Sequence, residues 1–198
     1  MLALERAEKL KSEADKVLSL VRLYDILDPY AKVFPGGSYY LNVMVYPDID
    51  LYITKVSLSE LFEISAQLAA CELVIQIVFE KSDDPLHLPG GLYLKPRINY
   101  GDWGRPWKID IWSLDEEIIM HNMAEMHHFK NAMTPKLRQQ IIRYKYSLLN
   151  SENRTPPYSG YYIYKAFIDQ GMDDFEDVTQ YLLRSGIQVE GKLSNSSP

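Results

Sequence analysis

Strand-like segments occupy only the first part of this 198-residue chain. Five short segments rich in β-branched and aromatic residues precede residue 115, and the periodic segments after it have helical spacing. We therefore predict an α/β fold, in which a mixed sheet of about five strands is flanked by helices and followed by a helical C-terminal subdomain. The predicted strands are 30–34, 48–55, 73–80, 92–100 and 107–114. The predicted units are a first domain with an N-terminal helix at 1–115, a helical domain at 116–190 and a disordered tail at 191–198.

The helices have recognisable starts in the sequence. Residues 3–27 are predicted to form one amphipathic helix, because apolar residues recur at helical spacing among Lys and Glu. The pair Ser57 and Glu60 is typical of a capping box, and Thr134-Pro135 is typical of an N-cap followed by proline at the first helical position. Residues 38–46 are ambiguous, since they are rich in β formers but do not alternate.

Composition excludes several classes of protein. The net charge of −6 argues against a protein that coats nucleic acid, although a local basic groove remains possible and nucleic acid stays an open partner. The single cysteine, Cys71, excludes an internal disulfide and is expected to be a small buried side chain. With no signal peptide and no run of 18 apolar residues, we expect a cytoplasmic protein that does not engage a membrane.

Two aspartates share one face of the predicted strand 48–55. Asp48 and Asp50 alternate with Ile49 and Leu51, so both carboxylates point to the side opposite the apolar residues. Like charges about 7 Å apart along a strand repel unless a cation lies between them or one takes a proton. Mg²⁺ prefers such oxygen ligands and commonly joins carboxylates to the phosphates of a substrate.

A third aspartate, Asp110, lies between two isoleucines in the predicted strand 107–114. If this strand neighbours 48–55, three carboxylates converge, and they could hold two cations that clamp the attacking and leaving oxygens of a phosphoryl transfer. A simpler interpretation is that Asp48 caps a turn, and that Asp110 pairs with Lys108 or Arg105 on an exposed strand face. Lys108 shares the strand face of Asp110 and could neutralise phosphate charge or pair with an acid.

A glycine-rich turn precedes the acids. Gly36 and Gly37 allow backbone conformations with positive φ and a close approach to a ligand. Successive backbone N–H groups in such a turn can bind an anion, and the hydroxyl of Ser38 adds a donor. Phosphates at this turn and a metal at Asp48 and Asp50 would together describe a nucleoside triphosphate (NTP) with its Mg²⁺.

These residues resemble the signature of the DNA polymerase β-like nucleotidyltransferases. Gly37-Ser38, nine further residues, Asp48-Ile49-Asp50 and a later acid between apolar residues follow the pattern of that superfamily, over about residues 30–115. The resemblance implies a catalytic domain at 1–115 and a substrate or cap domain at 116–190. It also implies that Asp48, Asp50 and Asp110 bind Mg²⁺, in a two-metal site, and that Gly37 and Ser38 contact the triphosphate.

The activity implied is Mg²⁺-dependent transfer of a nucleoside monophosphate from an NTP to a hydroxyl. The acceptor, a small molecule, a protein or an RNA, is not indicated, nor is the base of the NTP. The alternative is a catalytically inactive module on the same fold that binds a nucleotide or a partner.

Two further clusters allow other hypotheses. Residues His121, Glu125 and His128 share one helix face, which suggests either a metal-dependent hydrolase or a polar helix surface. The tyrosine-rich stretch 158–164 could stack a base, or it could pack at a domain interface.

Overall fold

The computed structural model describes residues 2–82, 84 and 88–189; the predicted tail at 191–198 lies outside the described residues. The predicted mixed sheet is present. Five strands occur in the order β1-β2-β5-β4-β3, with β2 and β5 parallel and the other neighbours antiparallel. The strands are β1 Val33–Gly36, β2 Asp48–Thr54, β3 Val74–Lys81, β4 Leu92–Ile98 and β5 Trp107–Leu114.

Strand β1 differs from the predicted segment 30–34. It begins later and continues through Pro35 and Gly36, which pair with Leu51 and Asp50 of β2. Proline is tolerated because β1 is an edge strand, so its missing N–H removes no bond to a second neighbour.

Helices pack against both faces of the sheet and make up the second half of the chain. The predicted helix at 3–27 is wrong in one respect, because it is broken at Arg22, whose φ of 52° is left-handed. On an unbroken helix Leu23 would lie about 200° around the axis from Val21, yet both are buried in the core. The helices are α1 Ala3–Leu20, α2 Leu23–Leu27, α3 Gly37–Leu41, α4 Leu58–Ala69, α5 Glu116–Ala132, α6 Pro135–Ser147, α7 Ser159–Tyr164, a π-helical turn Lys165–Asp169 and α8 Phe175–Arg184.

The predicted starts of two helices are observed. The Ser57 side chain accepts a hydrogen bond from the backbone N–H of Glu60, and the Glu60 side chain accepts one from the N–H of Ser57. Thr134 accepts from the N–H of Leu137, with Pro135 at the first helical position. Of the ambiguous stretch 38–46, residues 38–41 lie in α3. Burial of Leu41 in the core there overrides the weak helix propensity of its neighbours.

One face of the sheet is apolar and supports the largest core. Alternate residues of β2 and β5, among them Ile49, Leu51, Ile109 and Ile111, pack with residues of α1, α2 and α4. A second core lies among α6, α7 and α8 and receives Ala7 of α1 and residues of the 41–45 segment. Whether residue 115 separates two domains remains a prediction.

The opposite face of the sheet is only partly covered. Helix α5 packs over one end of it through Ile119 and Met123, against Leu114, Tyr52 and Trp112. The polar side chains at the other end of β2 and β5 are the site described below. In the part of the chain that the structure describes, no helix is long and apolar enough to cross a membrane.

Candidate functional site

Three carboxylates meet on the polar face of the sheet. Asp48 and Asp50 come from β2 and Asp110 comes from β5, and one oxygen of each lies within 4.8 Å of the others. They meet because β2 and β5 are parallel neighbours in a register that places Asp50 opposite Asp110. Among residues 2–82, 84 and 88–189, no other group of three acidic, histidine or cysteine side chains has such spacing.

Burial changes the pKa values of Asp48 and Asp50. Burial raises the pKa of Asp48, the charge of Lys108 opposes that rise, and the charge of Asp110 adds to it. For Asp50, burial and then the charges of Asp48 and Asp110 raise the pKa to about 7. Carboxylates that resist ionisation in this way gain most from a cation placed between them.

Lys108 supplies a cation within the chain. Its Nζ lies 3.0 Å from Oδ1 of Asp48 and donates a hydrogen bond of 2.6 Å to Oδ2 of Asp110. Burial alone would lower the pKa of Lys108, but the charges of Asp48 and Asp110 raise it above its ordinary value. The pairing of Asp110 with Lys108 is therefore observed, although on a largely buried surface and not on an exposed strand face.

Two further details distinguish the oxygens of the site. Oδ1 of Asp48 is buried and makes no aligned hydrogen bond, since its contact with Lys108 lacks that geometry. Oδ1 of Asp110 accepts a hydrogen bond of 2.5 Å from the Tyr93 hydroxyl. Oδ1 of Asp48 is thus held by an ion pair with Lys108 alone, whereas Asp110 is held in position by two donors.

The glycine turn touches the carboxylates directly. Gly37 begins α3 with a φ of +53°, and a Cβ added there would lie 1.9 Å from Oδ2 of Asp50. A side chain at this position would displace the carboxylate, so only glycine fits. Gly36 pairs with Asp50 across the sheet, and the Ser38 hydroxyl makes no hydrogen bond to another described residue. Residues 36–38 therefore lie on the β1 side of the three acids.

Lys145, a buried lysine of α6, was not among the predicted site residues. Only 2% of the residue is exposed, and its Nζ donates to the Tyr164 hydroxyl at 3.1 Å. Burial lowers its pKa to about 8, and the charges of Asp50 and Asp48 partly oppose this fall. A signal was available, since Lys145 follows the apolar Ile141 by four residues and so shares its helix face.

The second predicted cluster does not assemble. Glu125 accepts a hydrogen bond of 2.8 Å from the Tyr161 hydroxyl, whereas Nε2 of His128 lies 2.7 Å from Oδ1 of Asp169. In the described ranges, His121, Glu125 and His128 form no group with metal-ligand spacing. Each is accounted for as a polar residue of a helix surface.

The tyrosine-rich stretch 158–164 is divided between core and surface. Tyr164 is buried in the helical core beside Lys145, as the packing interpretation predicts. Tyr158, in contrast, is 88% exposed and adopts a left-handed φ of 60°.

Structural comparison identifies the fold. No known family profile and no curated protein matches the sequence. The structure is similar to a Cid1 poly(U) polymerase mutant bound to MgATP, with a TM-score of 0.52, 15% identity and coverage of 72% of this chain and 45% of that one. A MgGTP-bound Cid1 structure gives a TM-score of 0.51, 16% identity and the same two coverages.

A third similar structure is the non-canonical poly(A) polymerase complex GLD-2–GLD-3. Its TM-score is 0.52 at 14% identity, with 86% of this chain and 60% of that chain covered. The present chain therefore spans about half of the length of these neighbours, which are DNA polymerase β-like nucleotidyltransferases. This protein has the fold of the DNA polymerase β-like nucleotidyltransferases.

Proposed function

We propose that this protein is a Mg²⁺-dependent nucleotidyltransferase that moves a nucleoside monophosphate from an NTP to a hydroxyl of an acceptor. One observation carries the proposal: three buried or partly buried carboxylates converge from two parallel strands beside a glycine turn. The similar structures named as bound to MgATP and MgGTP support it at the level of the fold.

The donor set fits Mg²⁺. All three groups offer carboxylate oxygens, which are the ligands that this ion prefers, and Oδ1 of Asp48 is a buried acceptor without an aligned donor. Asp48, Asp50 and Asp110 would hold the metal, in one or two positions. Bound there, Mg²⁺ would neutralise phosphate charge and favour ionisation of the acceptor hydroxyl.

The other residues of the site would bind and orient the triphosphate. Gly36, Gly37 and Ser38 would offer donors on the β1 side of the acids, as successive backbone amides do in other anion sites. Lys145 would supply a positive charge from the helical half of the chain, already within the electrostatic influence of Asp50. Lys108 would exchange its carboxylate partners for phosphate oxygens.

The chemical step would use Asp110 at the acceptor side. The acceptor oxygen attacks the α-phosphorus, the bond from that phosphorus to the bridging oxygen breaks, and pyrophosphate leaves. Asp110 would help to remove the hydroxyl proton, with its orientation held by Tyr93. Positioning and charge neutralisation would therefore account for most of the catalysis.

The test is nucleotide-dependent stabilisation of the protein. Thermal unfolding is followed with each NTP, with and without Mg²⁺, for wild type, Asp48→Asn and Asp110→Asn. A ligand at one hundred times its Kd should stabilise wild type by about 2.7 kcal/mol, and the two variants should lose the Mg²⁺-dependent part. Asp102→Asn, an exposed acid on the neighbouring loop, serves as the control. Absence of any NTP effect in wild type would contradict the proposal.

One observation favours the alternative of an inactive binding module. Lys108 lies between Asp48 and Asp110, where it already compensates the charge that a metal would neutralise. A module of this kind would bind NTP equally well with and without Mg²⁺ and would release no pyrophosphate. A pyrophosphate assay on the wild-type protein with mixed hydroxyl acceptors separates the two functions.

A further inference from the structure

Three arginines come from segments near the end of the sheet where β5 begins. Arg97 is in β4, Arg105 is in the loop before β5, and Arg154 follows α6. Burial lowers the pKa of Arg105, the charge of Asp48 opposes this fall, and the charges of Arg97 and Arg154 add to it. The geometry agrees, because Arg97 is the register partner of Lys108 at the start of β5, and Glu152 contacts both Arg105 and Arg154.

The donors of this arginine cluster (Arg97, Arg105 and Arg154) are poorly matched. Arg97 makes no ion pair or hydrogen bond with another described residue. Nε of Arg105 is buried without a hydrogen-bond partner. Glu152 contributes a carbonyl oxygen 3.3 Å from Nη1 of Arg105 and a carboxylate oxygen 2.8 Å from Nε of Arg154, and that carboxylate is 64% exposed. The Glu152 carboxylate therefore pairs with Arg154 alone, and no carboxylate of the described residues forms an ion pair with Arg97 or Arg105.

The cluster occupies a definite position relative to the acids. Asp48, Lys108 and Arg97 form one row across β2, β5 and β4, because each is the register partner of the next. The glycine turn lies on the β1 side of this row, at the opposite end. In an in-line displacement, the attacking hydroxyl and the leaving pyrophosphate lie on opposite sides of the α-phosphorus. If the triphosphate lies at the glycine turn, the acceptor hydroxyl must therefore approach from the side of Asp110 and β4.

We propose that Arg97, Arg105 and Arg154 bind a phosphate group of the acceptor, so that the acceptor is a phosphate-bearing molecule. This inference rests on the proposed nucleotidyl transfer. Guanidinium groups match phosphate oxygens by paired, charge-assisted hydrogen bonds, and a phosphate would supply an acceptor for the buried Nε of Arg105. The phosphate could belong to a phosphodiester next to a polynucleotide end or to a small phosphorylated sugar, and the two share the same recognition chemistry.

The experiment compares probes with and without phosphate. Binding of a dinucleoside monophosphate, adenosine, glucose 6-phosphate and glucose is measured by calorimetry at fixed salt. The proteins are wild type, Arg97→Gln/Arg105→Gln, and Arg143→Gln as the control for loss of an exposed arginine elsewhere, since Arg143 is exposed on α6. Mg²⁺-NTP stabilisation of each protein is recorded in parallel, which separates failure of this site from failure of the nucleotide site.

The expected result has three parts. A phosphate-bearing probe binds wild type at least about tenfold more tightly than its uncharged counterpart, the double variant loses that difference, and Arg143→Gln keeps it. NTP stabilisation is unchanged in the double variant. Tighter binding of the dinucleoside identifies a polynucleotide end, and tighter binding of the sugar phosphate identifies a small acceptor.

Other outcomes would overturn the inference. Equal binding of charged and uncharged probes would show that the cluster does not select phosphate. Loss of NTP stabilisation together with probe binding would assign the cluster to the triphosphate instead. If the double variant unfolds, the single variants Arg97→Gln and Arg105→Gln are measured in its place, and wild-type affinity in both would be equally decisive against the proposal.

Discussion

Lys108→Met removes the internal cation of the carboxylate site while keeping a side chain of similar length. Nζ of Lys108 contacts Asp48 at 3.0 Å and Asp110 at 2.6 Å, and the three side chains are only 21%, 9% and 13% exposed. The substitution would leave two buried carboxylates facing each other with Asp50 nearby. We therefore expect a destabilised protein that takes up protons to relieve the repulsion.

The magnitude follows from the cost of unpairing buried charges. Removal of one partner of a buried ion pair costs about 3–5 kcal/mol, whereas an exposed pair contributes about 0–1 kcal/mol. The matched control is Lys95→Met in β4, because Lys95 contacts Glu80 at 3.8 Å and that carboxylate is 56% exposed. We expect the control to lose less than about 1 kcal/mol of unfolding free energy.

The assay is urea unfolding at pH 7 in the presence of a chelator, with linear extrapolation to zero denaturant. The pKa of Lys108 is raised on folding, so its contribution is fully present below pH 10.5 and is lost as the pH rises through the folded pKa. Burial raises the pKa values of Asp48 and Asp50, and loss of the Lys108 charge would raise them further, so the deficit of the variant should shrink as the pH falls from 7 to 5.

Mg²⁺ provides a second arm of the same experiment. Because the metal no longer competes with an ammonium group, the variant should gain more stability from Mg²⁺ than wild type does. A deficit as small as that of Lys95→Met would refute the reasoning that these acids need a cation. A full deficit with no response to Mg²⁺ would assign Asp48 and Asp110 a structural role only.

The remaining predictions test the turn and the buried lysine. Gly37→Ala should abolish the Mg²⁺-dependent NTP stabilisation, because its Cβ would strike Asp50. The control is Gly171→Ala, which has a φ of +62° and no atom within 4 Å, and which should cost only about 1–2 kcal/mol of unfolding free energy and leave NTP binding intact. Equal effects of the two substitutions on NTP stabilisation would contradict the proposed contact. The pKa of Lys145 falls from 10.5 to about 8 on folding, so between these pH values the unfolded chain binds more protons than the folded chain. The stability of wild type relative to Lys145→Met should therefore rise across pH 8–10.5, by on the order of 3 kcal/mol. The measurement is a series of unfolding experiments over this pH range, in which Lys136→Met, on the exposed start of α6, should show no such rise. If the difference in unfolding free energy between wild type and Lys145→Met were also independent of pH, Lys145 would be a solvated lysine.

The amino-acid pattern was sufficient for the local structure that holds the candidate site. Alternation of acids with isoleucine and leucine predicts the two-sided strand β2, and the capping residues predict the starts of α4 and α6, because these signals depend on near neighbours in the chain. The break at Arg22 was not predictable in this way. It depends on whether Leu23 can reach the core, and that is decided by the position of the sheet.

The sequence by itself determined that Asp48 and Asp50 share a face, that a glycine turn precedes them, and that a further acid lies in an apolar strand. Only the tertiary structure decided that Asp110 stands opposite Asp50, because the order and register of parallel strands depend on contacts between residues distant in sequence. The same holds for Lys145 and for the arginine cluster, whose members come from separate segments of the chain. Burial and charge act through space, so a lysine among apolar helix residues comes under the influence of the charges of Asp50 and Asp48 only in the folded chain.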